Sequence, residues 1–254
     1  MSLGLVNYSS SSDEEETIEP EHKSKIQEPK KNKLPNPFQK DEKIAEETSA
    51  EHDGRVRTFA HERGIWASYV YIQWPRTEMI QTLQSDLIGL IKANNKNEPS
   101  FEIHPIDDFH MSLTRTSILR HHWIDEFVRS VQNSLNNVQR FWIPLNSIRI
   151  YCNGNKTRTF ISLSLNEIDS SAQRNLCEIV KRLDDCLRDF NLPPFYEEVS
   201  FHVSLLWCLG DHKTLLESLL PQFMGLLEQL LATEPSEFCL NVNLLNAKIG
   251  NKLE

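Results

Sequence analysis

Phe-His-x-Ser-Leu occurs twice in this chain, as FHMSL at 109–113 and FHVSL at 201–205, with the two histidines 92 positions apart. Each copy alternates apolar and polar residues, which is the pattern of a strand with one face on a core. His110, Ser112 and Thr114 then share one face of the first strand, with Phe109, Met111 and Leu113 on the other. In the second strand His202 and Ser204 stand opposite Phe201, Val203, Leu205 and Trp207. A serine nucleophile served by its own neighbouring histidine is disfavoured, because same-face residues sit roughly 6.6 Å apart along a strand. The chain also has no G-x-S-x-G elbow and no HExxH zinc motif. Two imidazoles across a cleft suit phosphodiester transesterification. One, neutral, takes the proton of a ribose 2′-OH; the other, charged, protonates the departing 5′-oxygen. Histidine suits both tasks because its ordinary pKa of about 6.5 leaves both forms accessible near neutrality. Ser112 and Ser204 would donate hydrogen bonds to the phosphate oxygens on which charge grows. A single such histidine is more commonly a half-buried structural residue, whereas two identical units favour chemistry. No metal is required, although Asp108 in DDFH (107–110) offers a carboxylate on the His110 face as a weaker metal-site alternative. His121 and His122 read as surface or capping residues of a helix, and His104, before Pro105, as a loop residue.

The elements that must position these strands follow from periodicity. IWASYVYIQW (65–74) is rich in β-branched and aromatic residues and reads as a strand. Residues 76–93 carry Met79, Ile80, Leu83, Leu87 and Leu90 or Ile91 at helical spacing, and 122–139 give a second amphipathic helix through Ile124, Phe127, Val128, Val131, Leu135 and Val138. FHMSLTRT (109–116) reads as one strand. LNSIRIYC (145–152) and RTFISLSL (158–165) form a hairpin around NGN (153–155). A helix is expected over 170–190, capped by Ser170 or Ser171, with Leu176, Val180, Leu183 and Leu187 inward. FHVSLLWC (201–208) is a strand, 212–231 is helical with a break or kink at Pro221, and 238–249 is a last strand. The core is therefore α+β, in two halves of similar content, each with one copy of the motif.

Composition bounds the remaining choices. Residues 1–52 hold 12 Asp/Glu and 7 Lys/Arg and almost no aromatics, too little apolar surface to offset ordering entropy, so a disordered acidic tail is expected there. The remaining residues, 53–254, can bury a good core. The net charge of −9 divides into −5 in the tail and −4 beyond it. Residues 109–160 nevertheless hold seven bases (Arg115, Arg120, Arg129, Arg140, Arg149, Lys156, Arg158) against Asp125 and Glu126. A solvated basic face is the commoner meaning of such a stretch; next to the paired motifs it suits an anionic ligand. The five cysteines, Cys152, Cys177, Cys186, Cys208 and Cys239, are odd in number and form no CxxC, as in a reduced protein with buried thiols. No apolar run approaches the roughly 18 residues of a membrane span, and no signal-peptide pattern opens the chain. PKKNK (29–33) offers a weak nuclear-import signal.

The paired His-x-Ser strands resemble the two-histidine phosphoesterase superfamily. RTFAHERGIWA (57–67), FHMSLTRTSILRHHWI (109–124), IYCNGNKTRTFISL (150–163) and FYEEVSFHVSLLWCLGD (195–211) narrow the resemblance to its U6 small nuclear RNA phosphodiesterase family, over about Arg57 to Asp211. The resemblance implies a two-lobed fold, each lobe an antiparallel sheet with packed helices, pseudo-two-fold symmetric about a central groove. It implies His110 and His202 as the catalytic pair, Ser112 and Ser204 on the scissile phosphate, and Tyr196 stacking on the terminal nucleoside. Without the resemblance, Tyr196 reads as a loop tyrosine capping the core. The implied activity is metal-free 3′–5′ trimming of uridines or adenosines from the U6 RNA 3′ end, for mRNA splicing. It leaves a 2′,3′-cyclic phosphate that some members open. No cofactor, DNA or membrane is implied, and a nuclear monomer is expected. Two rivals are an RNA-end cyclic phosphodiesterase and a non-catalytic RNA-binding splicing partner. Near-identical motifs do not tell the base from the acid.

Overall fold

The computed structural model describes residues 64–95, 102–166 and 170–250. The expected tail at 1–52, the PKKNK stretch and the first residues of RTFAHERGIWA lie outside the described residues. In chain order the elements are β1 (Ile65–Gln73), α1 (Glu78–Asn94), β2 (Ile103–Pro105), β3 (His110–Ser112), β4 (Ser117–Arg120), α2 (Ile124–Leu135), β5 (Phe141–Pro144), β6 (Ser147–Cys152), β7 (Arg158–Ser164), α3 (Ser170–Asp189), β8 (His202–Leu209), α4 (Lys213–Ser218), α5 (Leu220–Thr233), β9 (Cys239–Val242) and β10 (Asn246–Ile249). The class is α+β with antiparallel sheets, as expected. One sheet centres on β1, with β10 along one edge and β3 and β4 along the other; a second runs β2-β8-β7-β6; β5 and β9 form a two-stranded ladder. None of the described helices is long and apolar enough to cross a membrane.

The helices follow the periodicity. Thr77 caps α1, its hydroxyl accepting from the Ile80 N–H at 3.4 Å, and Ile80, Leu83, Leu87 and Ile91 point into the core. Helix α2 buries Ile124, Phe127, Val128, Val131 and Leu135. It starts two residues later than its pattern, because His121–Trp123 turn as a short 3-10 segment. Pro221 stands in the first turn of α5, where its missing N–H costs nothing, and the helical stretch is broken just before it. Helix α3 begins at Ser170 itself, so Ser170 and Ser171 lie in its first turn.

Three expectations need correction. The stretch 109–116 is not one strand: β3 ends at Ser112, the chain bends, and β4 resumes on another part of β1. The bend is held by the buried Thr114, whose Oγ1 accepts from the Val70 N–H at 2.9 Å. The stretch 238–249 is two strands in two sheets, since β9 pairs with β5 and β10 pairs with β1. His104 is in β2, opposite Trp207, and its ring stacks on the indole at 4.6 Å between centroids. The sequence halves also trade strands, because β2 joins the sheet of β8 and β10 the sheet of β3. Gln84 of α1 ties this crossover together: its buried amide donates to the carbonyls of Ile106 and Leu205, both at 2.8 Å.

Candidate active site

Strands β3 and β8 carry the two motifs to one place. Their apolar faces are wholly inside: Phe109, Met111, Leu113, Phe201, Val203 and Leu205 are all at most 4% exposed. The opposite faces line a groove of about 970 Å³ that contains His110, Ser112, His202 and Ser204. The alternation read from the sequence therefore places the four polar side chains together.

Both imidazoles are anchored alike. Nδ1 of His110 lies 3.0 Å from the Asp108 carbonyl oxygen, and Nδ1 of His202 lies 2.9 Å from the Ser200 carbonyl oxygen. A carbonyl can only accept, so Nδ1 carries the proton in each ring and Nε2 is the nitrogen left to exchange protons. The carbonyl comes in both cases from the residue two before the histidine, which apolar–polar alternation alone does not reveal.

Beyond this shared anchor the two surroundings differ. The His202 ring stacks on Tyr151 of β6 at 4.0 Å, and the Tyr151 hydroxyl shares a 2.6 Å hydrogen bond with Ser200 Oγ. Tyr151 thus holds the imidazole face and also the residue that anchors its Nδ1. Burial pushes the His202 pKa below its ordinary value; the Ser200 carbonyl opposes this and the nearby His110 adds to it. His110 instead contacts Tyr71 and Tyr69 of β1, at 5.5 and 5.7 Å between ring centroids. The Asp108 carboxylate lies 4.0 Å from its Nδ1 and becomes an ion-pair partner when the ring is protonated. The Gln73 amide holds that carboxylate at 3.0 Å and also donates to the Phe109 carbonyl. Burial, then Tyr71, then Asp108 push the Tyr69 phenol up to about 12, and burial and Asp108 raise Tyr71, so both stay protonated around neutrality.

The serines and Tyr196 complete the site. Ser204 Oγ lies 3.0 Å from Ser162 Oγ of β7, a buried hydroxyl paired to it across a register shift in the sheet. Tyr196 stands at the groove, 54% exposed, on the loop after α3. Asp184 of α3 accepts from the Phe195 N–H at 2.7 Å and fixes that loop. The Arg115 guanidinium lies over the Tyr196 ring, 4.0 Å from its centroid. Of the seven bases between 109 and 160, Arg115 and Arg149 line the groove. Asp107 pairs with Arg76 at 3.1 Å, and among the described residues no three His, Cys, Asp or Glu side chains converge as a metal-binding group. Tyr71, Gln73 and Ser162 escape motif reading because each reaches the site from the strand beside a motif, and Tyr151 because it comes from β6, two strands from β8.

The chain is similar to known proteins over most of its length. A family model described as HVSL, an uncharacterised conserved protein, matches residues 29–254. The U6 snRNA phosphodiesterase 1 of Drosophila melanogaster is 40% identical over 220 residues, covering 87% of this chain and 80% of its own. Its human namesake is 34% identical over 220 residues, covering 85% and 78%. The structure of Kluyveromyces marxianus Usb1 with uridine monophosphate superposes with a TM-score of 0.51 at 16% identity, covering 74% of this chain and 96% of that one, which shows a shared fold. With the paired histidines in one groove and relatives of this identity over most of its length, the chain belongs to the U6 snRNA phosphodiesterase family.

Proposed function

We propose that this protein is a metal-independent 3′–5′ exoribonuclease that shortens the 3′ end of U6 small nuclear RNA. The observation that carries the reading is the pair of histidines on one groove, each with Nδ1 tied to a carbonyl and Nε2 left for proton transfer. The relatives' names supply the substrate.

The reaction needs one base, one acid and donors for a pentavalent phosphate. His202, half-buried and with its pKa lowered toward the neutral ring, takes the proton of the penultimate ribose 2′-OH through Nε2. The 2′-oxygen attacks phosphorus and the bond to the terminal 5′-oxygen breaks. His110, an imidazolium with the Asp108 carboxylate behind it, gives its Nε2 proton to that oxygen. Ser112 and Ser204 donate to the non-bridging oxygens, with Ser162 orienting the Ser204 hydroxyl. The products are a nucleoside and an RNA ending in a 2′,3′-cyclic phosphate, which water can open on the same two histidines. The attacking 2′-OH restricts the substrate to RNA, and Tyr196 offers a face for the terminal base. The β1 and β8 sheets are read as two lobes related by a pseudo-two-fold axis. Residues 53–254 then form one catalytic domain, acting in the nucleus as a monomer behind an acidic tail.

The test is an RNA ending in an oligouridylate tail, incubated in excess EDTA. Stepwise shortening should persist in EDTA, and His110→Ala and His202→Ala should each slow it by at least about a hundredfold. Arrest by EDTA would sink the metal-independent mechanism. RNA binding without turnover in the wild-type protein would favour a non-catalytic binding module.

A further inference from the structure

Arg115 has a role that the paired histidines do not account for. It follows the bend at the end of β3, where the buried Thr114 hydroxyl accepts from the Val70 N–H and the next residue reaches further along the groove wall. Its guanidinium face lies 4.0 Å from the centre of the Tyr196 ring. Its Nε is shielded from solvent and has no hydrogen-bond partner, and among the described residues no carboxylate pairs with it. Other cations nearby are engaged: Lys213 with Glu217 at 3.7 Å and Lys156 with Asp211 at 3.2 Å. A buried guanidinium donor normally finds an acceptor, and arginine's planar fork matches phosphate oxygens while its face stacks on a ring. An arginine so placed is suited to hold an anion by its N–H edge.

We propose that Arg115 is a phosphate-binding residue of the groove, its N–H edge holding an RNA backbone phosphate beside the nucleoside on Tyr196 while its face backs the tyrosine ring. The occupied face of Tyr196 leaves the opposite face to the base, so one residue sets both the ring and the phosphate next to it. This rests on the exonuclease reading above.

The experiment measures the affinity of a 2′-O-methyl oligouridylate, which keeps the phosphates and lacks the nucleophile, against salt concentration. Wild-type protein, Arg115→Gln and Arg115→Lys are compared, with folding monitored by circular dichroism. Arg115→Gln should weaken binding about tenfold at low salt. It should also reduce the slope of log affinity against log salt by roughly 0.7, the loss of one phosphate contact to a single strand. Arg115→Lys should keep the wild-type slope with an intermediate affinity. An unchanged slope in Arg115→Gln, or equal losses in both variants at the wild-type slope, would overturn the assignment and leave Arg115 as a prop for Tyr196. If wild-type protein neither binds this oligomer nor shortens its unmodified counterpart, the exonuclease reading falls and takes the assignment with it.

Discussion

His110 and His202 show how two near-identical motifs acquire different surroundings. Each hands its Nδ1 proton to the carbonyl two residues back, so identity and tautomer are shared. Burial, and after it the nearby His110, then bias His202 toward the neutral ring, whose face stacks on Tyr151, while His110 keeps a carboxylate nearby. The activity profile should be bell-shaped, with the acid limb set by His202 below the ordinary histidine value. A flat rate from pH 5 to 9 would count against paired acid–base catalysis. The same shift gives a stability slope. Because the folded pKa is depressed, the unfolded chain binds more protons in the window between the two values. The His202 contribution is therefore complete above about pH 6.5 and is lost as pH falls from there through the folded value. His202→Gln should flatten thermal stability across that window. Tyr151 should act through His202. Tyr151→Phe keeps the stack and removes one hydrogen bond, so kcat should fall a few-fold at most; Tyr151→Leu removes the stack and should lower kcat at least about tenfold and move the acid limb of the profile, with a native circular dichroism spectrum. Equal kcat in Tyr151→Leu and wild type would dismiss the positioning role.

Among the elements, β3 and α1 each carry a feature that periodicity does not give. Three residues of β3 are held only because β1 supplies a partner ladder and Thr114 satisfies the Val70 N–H at the bend. Helix α1 has a buried polar residue in an otherwise apolar stripe. Its Gln84 amide bridges two carbonyls, one on the segment after β2 and one on β8, two residues before which lies Val203. Gln84→Leu has similar bulk but takes the side-chain donor from the Ile106 carbonyl and leaves the Leu205 carbonyl with the Ile106 N–H at 2.9 Å, which costs about 1–3 kcal/mol. Chemical denaturation should show that loss as a lower midpoint at unchanged slope; no shift would mean that the carbonyls find other donors. The loss should also reach activity, because β8 carries His202 and Ser204.

On the scale of the molecule, both ends of the described chain meet in one sheet. Strand β10 closes the free edge of β1, opposite the edge that holds β3 and His110. Gly250 adopts φ +70°, and a Cβ there would stand 2.3 Å from the Trp66 ring, so the end of β10 is sterically tailored to β1. Removal of residues 245–254 should expose the β1 edge, lower the melting temperature by several degrees or more, and abolish catalysis although no groove residue is deleted. A truncated chain with full activity would show that β10 is dispensable for placing His110.

The order of most elements and the inward face of each motif were readable in the chain, because side-chain alternation and helical spacing are local consequences of backbone geometry. Alternation puts His110, Ser112, His202 and Ser204 on the polar faces of their strands, and those faces meet in one groove. The splitting of 109–116 and 238–249 was not readable, since a short apolar run looks the same whether it continues or changes sheets. Nor were His104 on Trp207, Tyr151 on His202 or Arg115 on Tyr196, whose partners lie far away in the chain and meet only through strand register and loop placement. Sequence by itself determined the two His-x-Ser motifs and the face that each presents to the groove. Tertiary structure decided what distinguishes them, because burial, stacking and a neighbouring carboxylate act on a histidine through space and leave no trace in its own motif.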